Sequence, residues 1–180
     1  MKIFGIDPGS ERTGYGCIET AGGRHQLVIC GALSAPAHST FPEKLKHIHA
    51  GLAALLARHQ PDCVAVEEVF HARNVQSALK LGHARGVALL AAAEAGLPVA
   101  EYAPTRIKLA VVGFGRAEKH QVGEMIKLLL GLAAVPTPHD AADALAVAIC
   151  HLHSATGAIA ERAAAVRPAT PLRSWRDYRP

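Results

Sequence analysis

The first third of the chain alternates short apolar runs with glycine-containing turns. Runs of this kind predict strands at Lys2–Asp7, Gly14–Thr20 and His25–Ser34. The turns between them fall at Pro8-Gly9 and Gly22-Gly23. Because connections this short join neighbouring strands, we expect an antiparallel meander.

After this meander the apolar positions change to the three-to-four-residue spacing of helices, interrupted by two short continuous runs. In the first helix, Ile48, Leu52 and Leu55 form one apolar stripe, which predicts packing on the sheet. The predicted strands are Cys63–Val69 and Val99–Tyr102. The predicted helices are Pro42–His59, Asn74–Ala95, Thr105–Val112, Ala117–Leu132 and Pro138–Ser154.

This order of elements, three linked strands and then helices alternating with strands, predicts an α/β fold. We expect a five-stranded mixed sheet flanked by helices, in the arrangement of ribonuclease H-like proteins. At 180 residues, the chain is long enough for one such domain. The pattern assigns residues 1–156 to this domain and residues 157–180 to a C-terminal tail.

Positive charge is concentrated in that tail. The chain has a formal net charge of +4, and residues 157–180 hold five arginines against two acids. A basic segment with small residues and prolines suits contact with phosphates, because counterion release favours binding. A solvated tail that binds nothing is the alternative.

Other features of the composition indicate a cytoplasmic protein. The four cysteines are scattered without a Cys-x-x-Cys pair, so we expect buried thiols rather than zinc ligands or disulfides. No positively charged leader precedes the first strand. The most apolar stretch, Gly86–Ala100, is interrupted by Glu94 and Pro98. It is shorter than the roughly 20 residues that cross a bilayer, so we expect no membrane span.

Two acids lie at the ends of predicted strands. Asp7 closes the first strand, and Glu67 lies near the end of the fourth. If these strands are parallel neighbours, the two carboxylates lie roughly 4.8 Å apart, at the edge where α/β sheets form ligand sites. Taken alone, Asp7 is more typical of a turn in which the side chain bonds the following backbone. Strand side chains alternate, so only one of Glu67 and Glu68 can face Asp7, and periodicity does not choose between them.

A second acidic pair, Asp140 and Asp143, is spaced three residues apart and shares one face of the last predicted helix. Taken alone, Asp140 is more typical of a helix cap, because Thr137 and Pro138 precede it as an N-cap and first helical residue would. Asp143 lies in an otherwise apolar run, where an unpaired charge would be costly. A bound cation would offset that cost.

Carboxylates brought together repel and raise one another's pKa values unless a cation lies between them. Oxygen ligands without cysteine suit Mg²⁺, or Mn²⁺ in its place, better than zinc. Two ions about 3.5–4 Å apart can activate water and stabilise the leaving oxygen of a phosphodiester, so we expect two ions per site. His139 is adjacent to Asp140, but we leave it outside the predicted catalytic set.

Several segments together resemble the RuvC family of Holliday junction resolvases in their order and spacing. The resemblance extends over about residues 2–154. Each motif is moderately specific alone, and their joint occurrence is hard to produce by chance. The segments are Gly5–Gly16, Ala65–Phe70, Ala78–Gly86, Val111–Gly113, Ala117–Lys119 and Asp140–Ala146.

This resemblance implies a Mg²⁺-dependent endonuclease of homologous recombination and repair. Such an enzyme nicks two symmetric strands of a four-way DNA junction and leaves 5′-phosphates. The catalytic, metal-binding acids that it implies are Asp7, Glu67, Asp140 and Asp143. The resemblance thereby selects Glu67 over Glu68.

DNA contacts are implied for six further residues, each of which is also ordinary for a protein surface or core. Phe70 would stack on or open bases at the junction centre, with packing in the core as the alternative. The six are Phe70, Arg73, Asn74, Lys80, Lys108 and Lys119.

The resemblance also implies a homodimer. The helix Asn74–Ala95 is the expected dimer surface, because Gly82, Ala84 and Gly86 allow close approach. Ordinary packing of this helix on the sheet is the alternative. Whether the branch-migration proteins RuvA and RuvB act with the protein is left open.

Three rival functions fit parts of the pattern. Gly5–Gly14 also resembles the first phosphate loop of actin-like and sugar-kinase-like nucleotide binders, but those proteins need two lobes. A non-catalytic junction-binding protein would have no need to keep the four acids. A nuclease acting on RNA–DNA hybrids would share both acids and metals, so only substrate competition separates it from a resolvase.

Overall fold

The computed structural model describes residues 1–68 and 74–166, with side chains described as far as Ala155. The strands are β1 (Lys2–Asp7), β2 (Arg12–Ala21), β3 (Arg24–Ser34), β4 (Cys63–Glu67) and β5 (Val99–Tyr102). The helices are α1 (Phe41–His59), α2 (Val75–Glu94), α3 (Pro104–Val112), α4 (Lys119–Leu129) and α5 (His139–Val166).

The five strands form one mixed sheet in the order β3-β2-β1-β4-β5. β1, β2 and β3 pair antiparallel, as predicted for the meander. β4 lies parallel to β1 on one side and to β5 on the other, joined through helical crossovers. The predicted α/β fold, a five-stranded mixed sheet flanked by helices, is confirmed. Its central strand, β1, ends at Asp7.

The helix α5 crosses one face of the sheet at very close range. A side chain at Gly5 or Gly14 would overlap backbone oxygens of α5, and one at Gly16 would lie 2.7 Å from Leu145. The facing part of α5 is rich in alanine and buried on all sides, as Ala144 and Ala148 are. Glycine on the strands and alanine on the helix therefore allow α5 to pack this closely against the sheet.

The opposite face of the sheet packs against α1 and α2. Phe4 and Ile6 of β1 and Val64 of β4 meet the apolar stripe of α1, including Leu52. Because side chains alternate along a strand, the intervening positions of β1, Gly5 and Asp7, face α5 instead. Asp7 therefore lies on the α5 side of the sheet.

Several predicted boundaries were wrong. The structure has α4 at Lys119–Leu129 rather than Ala117–Leu132, and β2 begins at Arg12 rather than at Gly14. β4 ends at Glu67 rather than at Val69, and α5 continues to Val166 rather than stopping at Ser154. The helix also begins at His139, one residue later than expected. The backbone of α5 thus extends past the boundary that we expected between domain and tail.

Cys17, Cys63 and Cys150 are buried free thiols, as predicted, and Cys30 is partly buried. Over residues 1–68 and 74–166, no helix combines the length and apolar character needed to cross a membrane.

Candidate active site

Asp7 and Glu67 meet at one edge of the sheet. They are the last residues of the neighbouring parallel strands β1 and β4, in which Ile6 pairs with Val66. Both acids face α5, and their carboxyl groups are close enough to raise or lower each other's pKa. A hydrogen bond between them forms when one of the two carries a proton. The structure therefore pairs Asp7 with Glu67, the choice that strand periodicity alone left open.

The third acid, Asp143, is supplied by the first turns of α5. Its side chain is 18% exposed and accepts a hydrogen bond of 2.5 Å from Nζ of Lys119, near the N-terminus of α4. Its negative charge also acts on both Asp7 and Glu67. The close approach of α5 to the glycines of β1 and β2 is what brings this helix acid to the strand ends.

These groups line an open cavity of about 370 Å³. One wall is acidic, and Lys108 of α3 and Lys119 of α4 lie on its rim. Glu68 also lines it, although it does not bond to Asp7. The remaining lining residues are Pro8, Leu81, Pro104, Ile107, Val122 and Ala146.

The electrostatics of this cavity are unfavourable for the acids as they stand. Burial, together with the charges of Glu67 and Asp143, raises the pKa of Asp7 to about 9. Burial likewise raises the pKa of Glu67, with Asp143 adding to the effect. Burial by itself would lower the pKa of Lys119, but its hydrogen bond to Asp143 and the nearby acids raise it. Lys119 is thus the cation that contacts the cluster formed by Asp7, Glu67 and Asp143.

Asp140 lies apart from the other three predicted acids. It pairs with Arg12 at 3.5 Å, remains 31% exposed on its side chain, and is absent from the lining of the cavity. The structure therefore brings together Asp7, Glu67 and Asp143, and holds Asp140 at the adjacent edge. As the side chains stand within the described ranges, with Lys119 on Asp143 and Arg12 beside Asp140, no three His, Cys, Asp or Glu side chains are grouped to hold a metal ion. Binding of a metal by these acids would therefore require their side chains to change partners.

The six residues predicted to contact DNA do not share one location. Lys108 and Lys119 line the cavity. Asn74 caps α2 by accepting a hydrogen bond of 2.8 Å from the backbone of Ser77, and Lys80 lies over the ring of Phe41. The predictions for Phe70 and Arg73 fall outside the residues that the structure describes.

His139 is exposed at the start of α5. It lines a separate small cavity of about 230 Å³, which also reaches Asp143.

Sequence reasoning missed several residues that build the site. Arg12 escaped notice because it begins β2, far along the chain from its partner Asp140. Thr13 is fully buried, and its hydroxyl donates to the carbonyl of Gly9 at 2.9 Å, which ties down the turn after Asp7. The glycines at alternate positions of β1 and β2 were a readable signal, because they face an alanine-rich helix.

A pH effect on stability follows from the buried acids. The pKa of Asp7 is about 9 in the folded protein, whereas the ordinary pKa of an aspartate is 3.8. The native state therefore binds more protons over this interval, and the free energy of unfolding falls as pH rises. In EDTA, we expect Asp7→Asn to stabilise the protein more at pH 8 than at pH 5, by about 4 kcal/mol, because one proton over three pH units corresponds to about 1.4 kcal/mol per unit.

Urea denaturation of both proteins at the two pH values measures this difference. An equal stability gain at pH 5 and pH 8 would show that Asp7 does not carry the raised pKa.

Comparisons with known proteins match one family. The family model described as crossover junction endodeoxyribonuclease RuvC matches residues 3–151. The crossover junction endodeoxyribonuclease RuvC of Chloroflexus aggregans is 55% identical over 155 residues, which cover 86% of this chain and 94% of that protein.

Solved structures give the same result. The Thermus thermophilus RuvC structure superposes with a TM-score of 0.79 and 37% identity, covering 88% of this chain and 97% of that one. A second structure, T. thermophilus RuvC in complex with a Holliday junction substrate, has a TM-score of 0.79, 35% identity, and coverage of 87% and 96%. With the family model matching most of its length, this chain belongs to the RuvC family of crossover junction endodeoxyribonucleases.

Proposed function

We propose that this protein resolves Holliday junctions by metal-dependent hydrolysis of two symmetric phosphodiester bonds, leaving 5′-phosphates. The observation that carries the proposal is the convergence of Asp7, Glu67 and Asp143 in one open cavity. Membership of the RuvC family supports it, as does a T. thermophilus relative solved with a Holliday junction substrate. A resolvase of this kind would act in homologous recombination and repair, in the cytoplasm.

The donor set of the cavity fits a hard divalent cation. The converging ligand atoms are carboxylate oxygens, the type that Mg²⁺ prefers, with Mn²⁺ as its substitute. The raised pKa values of Asp7 and Glu67 mark an excess of negative charge that burial penalises. A cation would relieve this excess, because an opposite charge nearby favours the ionised form. We propose two ions per site, as in other nucleases of this chemistry.

We assign the ligands to Asp7, Glu67, Asp143 and Asp140. Asp7 and Glu67 would give up the proton that they share, and Asp143 would exchange Lys119 for the cation. Asp140 would leave its exposed partner Arg12 at 3.5 Å, a pairing of the kind that contributes little stability. When bound, the metal activates water for attack on phosphorus and stabilises the leaving oxygen.

The two lysines at the rim of the cavity have a separate role in this proposal. Lys108 lies beside the cavity, and Lys119, released from Asp143, would have a free ammonium group there. Cations in these positions attract the DNA backbone and hold the scissile phosphate over the acids. The acids would then perform the chemistry while the lysines position the substrate.

A homodimer would supply the second active site that symmetric nicking requires, and α2 offers a surface for it. Val75 and Leu79 are 77% and 60% exposed on this helix, and side chains added at Gly82 or Gly86 would meet open space. Ala84 is fully buried, so the earlier assignment of Ala84 to the dimer surface was wrong. It lies on the opposite side of the helix from the exposed stripe.

A charge on this stripe should dissociate the dimer. We expect Leu79→Glu to shift the protein to monomers in analytical ultracentrifugation, since a buried unpaired carboxylate is costly. Leu128→Glu, at a residue of α4 that is 69% exposed, is the matched control and should leave the dimer intact. Dissociation by both substitutions, or by neither, would remove α2 from the interface.

The function is tested by incubating the protein with a synthetic mobile four-way junction and reading the products on a denaturing gel. We expect paired nicks in strands of like polarity, which appear with Mg²⁺ and disappear with EDTA. An RNA–DNA hybrid added as competitor should not slow the reaction at equal concentration. Preferential cleavage of the hybrid would instead favour a ribonuclease, and a bound but uncut junction would favour a non-catalytic binder. The branch-migration proteins RuvA and RuvB are the partners to add next.

A further inference from the structure

The turn between α3 and α4 presents an aromatic side chain to solvent. Phe114 is 59% exposed, whereas Phe4 is fully buried and Phe41 packs against His83. Exposing a phenyl ring has no benefit for folding, because the ring gains stability only when it is removed from water. An exposed aromatic residue near an active site is therefore a candidate for contact with a ligand.

The backbone of this turn is well defined. Gly113 ends α3 with a φ of 76°, a left-handed conformation that suits glycine. The amide of Ala117 then donates to the carbonyl of Phe114 at 3.1 Å, which closes a tight turn. The backbone of Phe114 thus has a fixed position between two helices, so little backbone entropy is lost when the residue binds.

The same turn folds back toward the cavity. A side chain at Gly115 would lie 3.5 Å from the carbonyl oxygen of Thr105, in the first turn of α3. The neighbouring residues Pro104, Ile107 and Lys108 line the acidic cavity. The turn that carries Phe114 therefore lies beside residues of α3 that line the site.

The charges beside Phe114 favour an anionic ligand. Arg116 is exposed within the turn, and Lys119 follows at the start of α4. The acid between them, Glu118, is engaged by His120 at 3.2 Å. Cations near an aromatic ring can bind a strand of nucleic acid, with the phosphates on the cations and a base on the ring.

We propose that Phe114 stacks on an unpaired base of the DNA strand that enters the cavity, while Arg116 contacts its backbone. This inference rests on the proposed function and adds a contact on the α3–α4 side of the site. Unpaired bases are available where the strands of a junction exchange, but not within a plain duplex. The stacking contact should therefore favour a junction over a duplex.

The test uses the Asp7→Asn protein, so that no strand is cut, and a junction with 2-aminopurine at the crossover. Phe114→Ala should weaken junction binding about ten-fold, within the range expected for loss of one stacked base. It should also reduce the quenching of 2-aminopurine and leave duplex binding unchanged. Phe114→Leu keeps an apolar side chain without a π-face and should bind as weakly, whereas Phe114→Trp should restore affinity.

Leu128→Ala, at an exposed residue of α4, is the control for losing apolar surface and should bind like the parent. Unchanged junction affinity in Phe114→Ala overturns the inference, as does an equal loss on junction and duplex. Full affinity in Phe114→Leu would indicate a surface for an apolar protein partner and would also overturn it. If the parent protein, with Asp7 and Phe114 intact, fails to cut the junction, the proposed function is wrong. If the parent protein cuts the junction but Phe114→Ala binds it with normal affinity, only the proposed stacking contact is wrong.

Discussion

Asp7→Asn should reduce cleavage of a four-way junction by about 10³-fold or more, since loss of one electrostatic stabilising group already costs 10²–10³-fold in other enzymes. Burial and the charges of Glu67 and Asp143 raise the pKa of Asp7, so this carboxyl group lies within the acidic cluster. An amide has a similar shape but carries no negative charge for a cation. Junction binding should persist or tighten, because the substitution removes repulsion between the site and DNA phosphates.

The matched control is Glu68→Gln. Glu68 lines the same cavity but is not among the groups that raise the pKa of Asp7. Glu68→Gln should lower the single-turnover rate of cleavage by less than about ten-fold. Losing a residue that hydrogen-bonds to a metal ligand typically costs about 10- to 100-fold, so this effect would be smaller. A rate for Asp7→Asn within ten-fold of the parent, or equal losses in both variants, would contradict the assignment of Asp7.

Gly5→Ala should damage both folding and catalysis without altering any acid. A side chain at Gly5 would overlap the carbonyl oxygen of Ala144 and lie 2.9 Å from the backbone nitrogen of Ala148. Backbone atoms cannot rotate away, so α5 must shift. We expect a loss of about 3 kcal/mol in the free energy of unfolding, the upper part of the range for overpacking.

The same shift should move Asp143, which α5 carries, relative to Asp7. A displacement of about 1 Å can cost 10²-fold in rate, so the residual folded protein should cleave poorly. Gly115→Ala is the control, because its added side chain lies at 3.5 Å from the nearest atom, an ordinary contact. Urea denaturation and single-turnover cleavage measure the two effects. A stable Gly5→Ala protein with full activity would contradict the account of how α5 approaches the sheet.

Local patterns predicted most of the fold. The meander of β1, β2 and β3 follows from glycine turns that are short enough to determine their own geometry. The placement of Asp7 and Glu67 follows from two strands that end in acids and lie parallel. Such features depend on residues close together in sequence, so the sequence alone reveals them.

Features that depend on contacts between distant segments were harder to predict. Strand alternation assigned Glu67 and Glu68 to opposite faces, yet both line the cavity. The reason is that β4 ends at Glu67, so Glu68 is free of the alternation. Likewise, helical spacing gives Asp140 and Asp143 a shared face, but Arg12 from β2 pairs with the first and Lys119 from α4 with the second. Neither cation can be assigned to its acid from periodicity.

The most direct test of the account is to crystallise the protein with Mn²⁺ and to record anomalous diffraction. We expect anomalous peaks among the carboxylate oxygens of Asp7, Glu67 and Asp143, with Lys119 no longer bonded to Asp143. Peaks elsewhere, or a site that stays empty at saturating Mn²⁺ with Lys119 still on Asp143, would contradict the claim that these acids form a metal-dependent nuclease centre.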